Sequence, residues 1–336
     1  MLRLPKFEFL RPTTVAETVD LLAAHGEDCK VIAGGTDLLP NMKHRLFEPK
    51  VVIGLSAVEE LKGIARTAEG GLAVGAMATL LECESSALLQ SHAPGLAQAA
   101  RAVAGPSQRA MATLGGNICL DTRCVWYNQT HFWRKSLGYC LKKDGTECHV
   151  VAGGTRCVAA ASNDTATMLT ALEAQLLIRS QAGSRNVPIR EFYKPDGMDF
   201  LKLEPAELLV QVILPPSSSS RHSGYAKLRT RNSIDFPKLS VAASYETDSE
   251  GRMTNAELVL SAIAATPRRI RGIGELAAGR SPDDPDFLAE AGELARKRIK
   301  PLTNIDGDAD YRRDMVPVFV KRAFGNAQRH DDGEAA

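Results

Sequence analysis

The sequence is poor in aromatic residues, at 5% of 336 positions with only two tryptophans, and it has no surplus of either charge, with 41 Lys and Arg against 40 Asp and Glu. Without a long basic run, the electrostatic reason to expect nucleic acid or an anionic membrane as partner is missing. No apolar stretch approaches the roughly 20 residues that a bilayer crossing requires. The opening MLRLPKFEFLRP places charges and prolines where a secretory leader has a continuous apolar core. A cytoplasmic chain with neither nucleic acid nor membrane as partner is therefore expected. No Ser-His-Asp order, P-loop or paired-carboxylate motif stands out, and neither Gly-Gly pair belongs to a Gly-x-Gly-x-x-Gly fingerprint, which disfavours a doubly wound NAD domain. What remains, with 44% hydrophobic residues, is a chain long enough for two or three packed units.

Seven cysteines is an odd number, and five of them (Cys119, Cys124, Cys140, Cys148 and Cys157) crowd into one stretch, leaving Cys29 and Cys83 elsewhere. A secreted disulfide scaffold would spread them. Where thiols are kept reduced, such clustering reads first as a metal or iron-sulfur site.

Local patterns alternate between helix and strand, which gives an α+β class. TTVAETVDLLAAHG has apolar residues at helical spacing, a Thr14-x-x-Glu17 capping box and Gly26 past its end. KVIAGGTDLLP, KVVIGLS and GGLAVGAMATL read as strands punctuated by turns, and ALLQSHAPGLAQAARAVA reads as one helix. ATLGGNICL reads as an extended segment that turns at Gly115 and Gly116. Between about 121 and 160 the composition changes, since Trp126, Trp133, Tyr127, Phe132, Tyr139 and four cysteines sit there together, as in an inserted miniature unit. DTATMLTALEAQLLIRS then resumes helix and strand, and LLVQVILPP ends a strand before the polar SSSSRHSG. A separate unit over 224–328 follows, with paired strands and then helices, and a disordered tail is expected over 329–336.

The two glycine pairs carry the first chemical signal. A diphosphate offers oxygens that accept hydrogen bonds, and a turn without Cβ atoms lets successive backbone N–H groups point into one small space. Ala33-Gly34-Gly35-Thr36-Asp37 and Thr113-Leu114-Gly115-Gly116-Asn117 each suit such a turn, though either pair alone reads equally as a tight connection between strands.

The series VIAGGTDLLPNM, TLGGNI, ASNDTATMLTALEA, ELLVQVILPP and YAKLRTRNSIDFP, in that order over nearly the whole chain, resembles the FAD subunits of the xanthine dehydrogenase and carbon monoxide dehydrogenase family. The resemblance implies a PCMH-type FAD-binding fold of two α/β subdomains over 1–220, followed by a smaller C-terminal α/β domain. It places the FAD pyrophosphate on Ile32, Ala33, Gly34, Gly35, Thr36, Asp37, Leu38 and Leu39, and again on Thr113, Gly115, Gly116 and Asn117. Asp164 matches the family's acidic FAD ligand, Leu209 would lie against the isoalloxazine, and Lys227 would sit beside it with Asp235 as a further neighbour. A cation there would favour the electron-rich reduced flavin.

In most members of that family only a few residues separate the GGN turn from the aspartate, whereas here Asn117 and Asp164 are separated by the cysteine-rich insertion. Wide spacing without Cys-x-x-Cys knuckles favours an iron-sulfur cluster over structural zinc. Trp126, Tyr127, Trp133 and Tyr139 are expected to cover it. The segment TRCVWYNQTHFWRKSLGYCLKKDGTECHVVAGGTRC resembles the iron-sulfur insertion of 4-hydroxybenzoyl-CoA reductase flavoprotein subunits. That likeness implies one 4Fe-4S cluster on Cys124, Cys140, Cys148 and Cys157, with Cys119 as the alternative to Cys124 and with His131 and His149 as ordinary surface or packing residues. It further implies a large subunit holding the molybdenum cofactor, a small subunit with two 2Fe-2S clusters, a heterohexamer of paired heterotrimers, and ferredoxin as electron donor for reductive dehydroxylation. Two other readings stay open: an FAD subunit of an oxidative hydroxylase acting on an aldehyde, purine or N-heterocycle, and a zinc-stabilised interaction protein without a redox role.

Overall fold

The structure, a computed structural model, describes residues 2–328; the tail expected to be disordered over 329–336 lies outside them. Three sheets organise these residues. The first comprises β1 (Glu8–Leu10), β2 (Cys29–Ile32) and β3 (Val51–Gly54), parallel and in the order β1-β3-β2. Its crossover helix, Val15–His25, starts where the Thr14 hydroxyl accepts from the Glu17 N–H and ends at Gly26, whose φ of 51° favours glycine. Val15, Val19 and Leu22 bury one face of that helix against Ile53 and Leu55.

The second sheet is antiparallel, in the order β4-β5-β8-β6-β7, from β4 (Ile64–Arg66), β5 (Leu72–Gly75), β6 (Gln175–Ser180), β7 (Gly183–Pro188) and β8 (Leu208–Leu214). The expected single helix from Ala87 is two, Ala87–His92 and Pro94–Arg101, because Pro94 has no N–H to continue the ladder and instead starts a new helix. The segment read as a glycine turn, TLGGNI, is a helical turn over Leu114–Ile118 capped by the Thr113 hydroxyl. Pattern reading favoured a turn there because paired glycines usually end an element. Here Gly115 stays helical so that its bare Cα can approach Ala76, from which a Cβ would stand 2.7 Å.

The third sheet, β9 (His222–Leu228), β10 (Leu239–Thr247), β11 (Met253–Ser261) and β12 (Arg268–Arg269), is an antiparallel ribbon covered by helices Pro285–Arg298 and Val316–Gln328. The β10 alternation explains how this unit joins the rest. Leu239, Val241, Ala243 and Tyr245 face the C-terminal helices, while Ser240, Ala242 and Ser244 face helix Asp164–Ala171 of the second unit. Small residues on that second face let the helix lie close enough for Ser244 to donate to Ala171 O at 2.7 Å.

Between helix Leu114–Ile118 and helix Asp164–Ala171, residues 121–160 form a lobe closed at its neck by mutual backbone bonds of 2.8 Å between Arg123 and Ala160. Its one helix is His131–Ser136. Among the described residues, no helix is long and apolar enough to cross a membrane.

The tightest contact in the C-terminal unit is at Gly224, where an added Cβ would stand 2.3 Å from both Ala323 O and Ala327 N of the last helix. Gly224→Ala must push that helix off β9, so a stability loss of about 2 kcal/mol, typical of overpacking, is expected in urea unfolding, with Gly325→Ala in the same helix, whose Cβ would meet nothing within 4 Å, as the uncrowded control.

Candidate functional site

The two glycine segments, almost eighty residues apart in sequence, meet in space. A Cβ on Gly34 would stand 1.8 Å from Met111 O, so only glycine permits the first loop to lie on the backbone that leads into Thr113. Gly35 has a φ of 71°, which turns the chain from β2 into helix Leu38–Lys43. Among the described residues, the N–H groups of Gly34, Gly35, Thr36 and Asp37 have no protein acceptor. Four successive donors without a protein acceptor, on a loop that is half-buried to exposed, are what an anion-binding turn requires.

The second segment differs from expectation. Leu114 N–H and Gly115 N–H donate to Ala78 O and Ala76 O, at 2.9 and 2.8 Å, and Gly116 N–H donates to the Thr113 hydroxyl at 3.1 Å. Its donors are largely spent on holding the turn, and its glycines serve close packing. Asn117 is buried and uses Oδ1 to accept from Thr165 N–H at 3.1 Å and from the Thr165 hydroxyl at 2.6 Å, which ties the turn to the helix that begins at Asp164.

Asp164 and Lys227 are partners of each other. Lys227 Nζ lies 3.0 Å from Asp164 Oδ1, and both side chains are only 3% exposed. Tyr225 donates to the same carboxylate at 2.6 Å, and Lys227 also donates to Ala102 O at 2.9 Å. Burial, with the Asp164 carboxylate next in importance, pushes the Tyr225 hydroxyl well above its ordinary value, so it remains a donor. Sequence reading assigned Asp164 and Lys227 to the flavin separately; it had no signal for their mutual neutralisation across the second and third units. Leu209 is buried in the core of the second unit on β8, paired with Ile178 of β6. Asp235 is engaged by Arg231, whose backbone N–H donates at 2.6 Å and whose guanidinium holds the carboxyl below its usual range.

Asp37, at the start of helix Leu38–Lys43, links the cradle to the cysteine lobe. Its carboxylate lies 3.6 Å from Arg123 in the neck of the lobe, and Arg123 stacks 3.6 Å over the Phe236 ring. Burial pushes the Asp37 carboxyl up to about 6, an effect that Arg123 opposes and Asp121 reinforces. On the lobe side, Lys142 donates to Asp121 at 2.6 Å, to Gly197 O at 2.8 Å and to Thr122 O at 2.9 Å. Arg123 and the Asp121–Lys142 pair were not singled out from the sequence, because an Arg or a Lys in a polar stretch is usually solvated.

Inside the lobe, Cys124, Cys140, Cys148 and Cys157 line one small cavity together with Trp126 and Tyr127. All are free thiols, and three of the four are buried. Burial pushes Cys124 up to about 12 and raises Cys157. Cys119 does not line this cavity; it packs against the core of the second unit. The cover differs in part from expectation. Trp126 and Tyr127 line the cavity, whereas Trp133 packs behind Trp126 at 5.9 Å and Tyr139 stacks beside His131. His149 borders the cavity and bonds to Tyr139 O. Among the described residues, no group of three or more His, Cys, Asp or Glu side chains is placed to hold a metal ion.

Residues 5–217 match the family described as FAD binding domain in molybdopterin dehydrogenase, and residues 224–327 match the CO dehydrogenase flavoprotein C-terminal domain. The chain is 28% identical to the carbon monoxide dehydrogenase medium chain of Hydrogenophaga pseudoflava over 96% of this chain and 97% of that one. It is 31% identical to the aldehyde oxidoreductase FAD-binding subunit PaoB of Escherichia coli (strain K12), over 88% and 94%. The carbon monoxide dehydrogenase structure from H. pseudoflava that lacks the Mo-pyranopterin moiety superposes with a TM-score of 0.79 at 26% identity, covering 98% of this chain and 99% of that one.

Two outcomes test the site's electrostatics. Lys227→Met leaves the Asp164 carboxylate buried without its cation, and a loss of about 3–5 kcal/mol is expected in urea unfolding, much of it recovered when Asp164→Asn is added. For Asp37, the folded protein takes up a proton at about 6, before the unfolded chain does near the ordinary value of 3.8, as pH falls. Its contribution to stability therefore grows as pH is lowered through that window and is lost as pH rises through about 6. Asp37→Asn should remove this dependence, so that the melting temperatures of variant and parent diverge above pH 6 and converge toward pH 4, the variant being the more stable at neutral pH.

Proposed function

This chain belongs to the FAD-binding medium-subunit family of the carbon monoxide and xanthine dehydrogenase molybdenum hydroxylases, and we propose that it is an electron-transfer flavoprotein subunit carrying a 4Fe-4S cluster as well as FAD. The observation that carries the second cofactor is the meeting of Cys124, Cys140, Cys148 and Cys157 around one small cavity that Trp126 and Tyr127 also line. Four cysteine thiolates suit an iron-sulfur cube.

When bound, the flavin supplies a centre that exchanges electrons singly or in pairs. The chain's own residues do the rest. Gly34 to Asp37 offer free N–H groups to the diphosphate, and Arg123 offsets the Asp37 carboxylate that would otherwise repel it. Because Asp37 titrates near 6, it can also be held neutral beside an anion. Cys124, Cys140, Cys148 and Cys157 would hold the iron, while Trp126 and Tyr127, which line the same cavity, would exclude water from the sulfurs. Leu46, from the first unit, is buried in one cluster with Cys124, Tyr127, Cys140 and Cys157.

The partners in this reading are a large subunit holding the molybdenum cofactor and substrate and a small subunit with two 2Fe-2S clusters, paired as a heterohexamer. The insertion's likeness to that of 4-hydroxybenzoyl-CoA reductases favours reductive removal of the phenolic hydroxyl from that thioester, with ferredoxin as donor. A second reading, oxidative hydroxylation of an aldehyde, purine or N-heterocycle, is favoured by the 31% identity with an aldehyde oxidoreductase subunit. Assay of the purified complex with each substrate class separates them.

Cys148→Ser is expected to lower iron and acid-labile sulfide while FAD is retained, and Cys83→Ser, a fully buried core thiol away from the lobe, to change neither. Elemental and flavin analysis of anaerobically purified protein checks both, and iron unaffected by the first replacement would refute the ligand assignment.

A further inference from the structure

Lys142 lines the same small cavity as Cys124, Cys140, Cys148 and Cys157, and its side chain is only 6% exposed. A buried ammonium is costly unless its protons are received. Here Nζ donates to Asp121 Oδ1 at 2.6 Å, to the Thr122 hydroxyl at 2.5 Å, and to the carbonyl oxygens of Thr122 and Gly197 at 2.9 and 2.8 Å. The Tyr127 ring centre, 4.5 Å away, closes a further side. With three protons for four oxygens, nothing is left to donate to a sulfur. Lys142 therefore acts on the thiols through its field.

The loop that holds the ammonium lies on one of those thiols. Gly197 N–H donates to Cys157 O at 2.9 Å, and a Cβ on Gly197 would stand 2.8 Å from Cys157 Sγ. The missing side chain lets this loop of the second unit touch the sulfur while its carbonyl oxygen fixes Lys142.

The pair that Lys142 forms with Asp121 has a direction. Burial raises the Cys157 thiol, an effect opposed by the Ala159 N–H and by Lys142. Burial also raises the Asp37 carboxyl to about 6; Arg123 opposes it, and Asp121 reinforces it by more than Lys142 takes away. The ammonium is thus felt at the thiols, and the carboxylate prevails at the cradle.

We propose that Lys142 and Asp121 form a fixed dipole that sets the reduction potential of the lobe's cluster, Lys142 raising it and Asp121 moderating the rise. The proposal rests on the reading of the four cysteines as cluster ligands. Reduction of a cluster adds one electron and makes no bond, so its free energy follows the local potential. A cation in surroundings of low dielectric favours the reduced form, and an anion beyond it cancels part of that gain. A pair that merely fastened the lobe would carry no such sign.

The test is a dithionite titration of the complete, anaerobically purified complex, followed by electron paramagnetic resonance, for the parent, Lys142→Met and Asp121→Asn. In Lys142→Met the ratio of oxidised to reduced 4Fe-4S cluster at a fixed potential should rise about tenfold or more, which for a one-electron couple is a shift of about 59 mV to more negative potential. Asp121→Asn should shift it the other way and by less. Shifts of the same sign in both variants, or none in either with iron retained, overturn the proposal. If Lys142→Met loses its iron, Asp121→Asn decides alone: a positive shift supports the dipole, and a negative or absent one overturns it. Parent complex without acid-labile sulfide overturns instead the cluster reading on which the proposal rests, and so is told apart from failure of the dipole.

Discussion

The absence of a side chain at residue 34 is the constraint on which the site depends. With Met111 O standing where a Cβ would be, the loop after β2 and the backbone before Thr113 are in contact through main chain alone. That contact joins the parallel three-stranded unit to the antiparallel five-stranded one at the point where the first loop's N–H groups are unspent. It also sets where Asp37 lies, and so where Arg123 can reach it. A methyl group would separate the two units and, with them, the cradle from the neck of the lobe. The effect of Gly34 is thus on the placement of other groups, since it contributes no interaction of its own.

The lobe is an addition to the sequence but not a loose appendage. Its neck is closed on the second unit by Arg123 and Ala160. Arg134, 1% exposed, reaches the first unit through His44 O and Arg45 O, and Asn304 brings the third unit to Val125 and Val158. Each anchor is a side chain or loop bonded to backbone carbonyls and N–H groups, a type of contact with strict direction. Such contacts fix orientation more firmly than apolar packing does. Four thiols from distant points in the chain can then face one cavity without a disulfide or a short knuckle motif to hold them.

Much of this was legible in advance. Periodicity gave the Val15–His25 helix, β8 and the paired strands of the third unit, since each is an amphipathic element whose pattern records its own burial. Composition marked the lobe, clustering set five cysteines apart from Cys29 and Cys83, and the likeness of the insertion singled out the four that line one cavity. Residues whose role depends on a partner far away in sequence were less readable. The paired glycines of TLGGNI looked like a turn because nothing local announces Ala76 beneath Gly115. Lys227 was assigned to the flavin without its partner because the carboxylate it pairs with lies sixty-three residues earlier. Arg123 and Lys142 carried no signal at all, since a basic residue is set apart from a solvated one only by what the fold brings to it.

The same dependence governs the chemistry of the thiols. Burial pushes Cys124 to about 12 and raises Cys157, so the cavity by itself stabilises neutral sulfur. Thiolates form there only if positive charge is supplied, and the iron of the proposed cluster would supply most of it. Lys142 supplies a further part, because it lowers the Cys157 value while fixed by Asp121, Thr122 and Gly197 O. Asp121 in turn raises the Asp37 carboxyl, while Arg123 lowers it. A change of charge at the sulfurs and a change of charge at the cradle are therefore felt by one short chain of ionised groups, Lys142, Asp121, Arg123 and Asp37. In the proposed reading, an electron placed on one side would alter the field on the other through side chains that are already held in place.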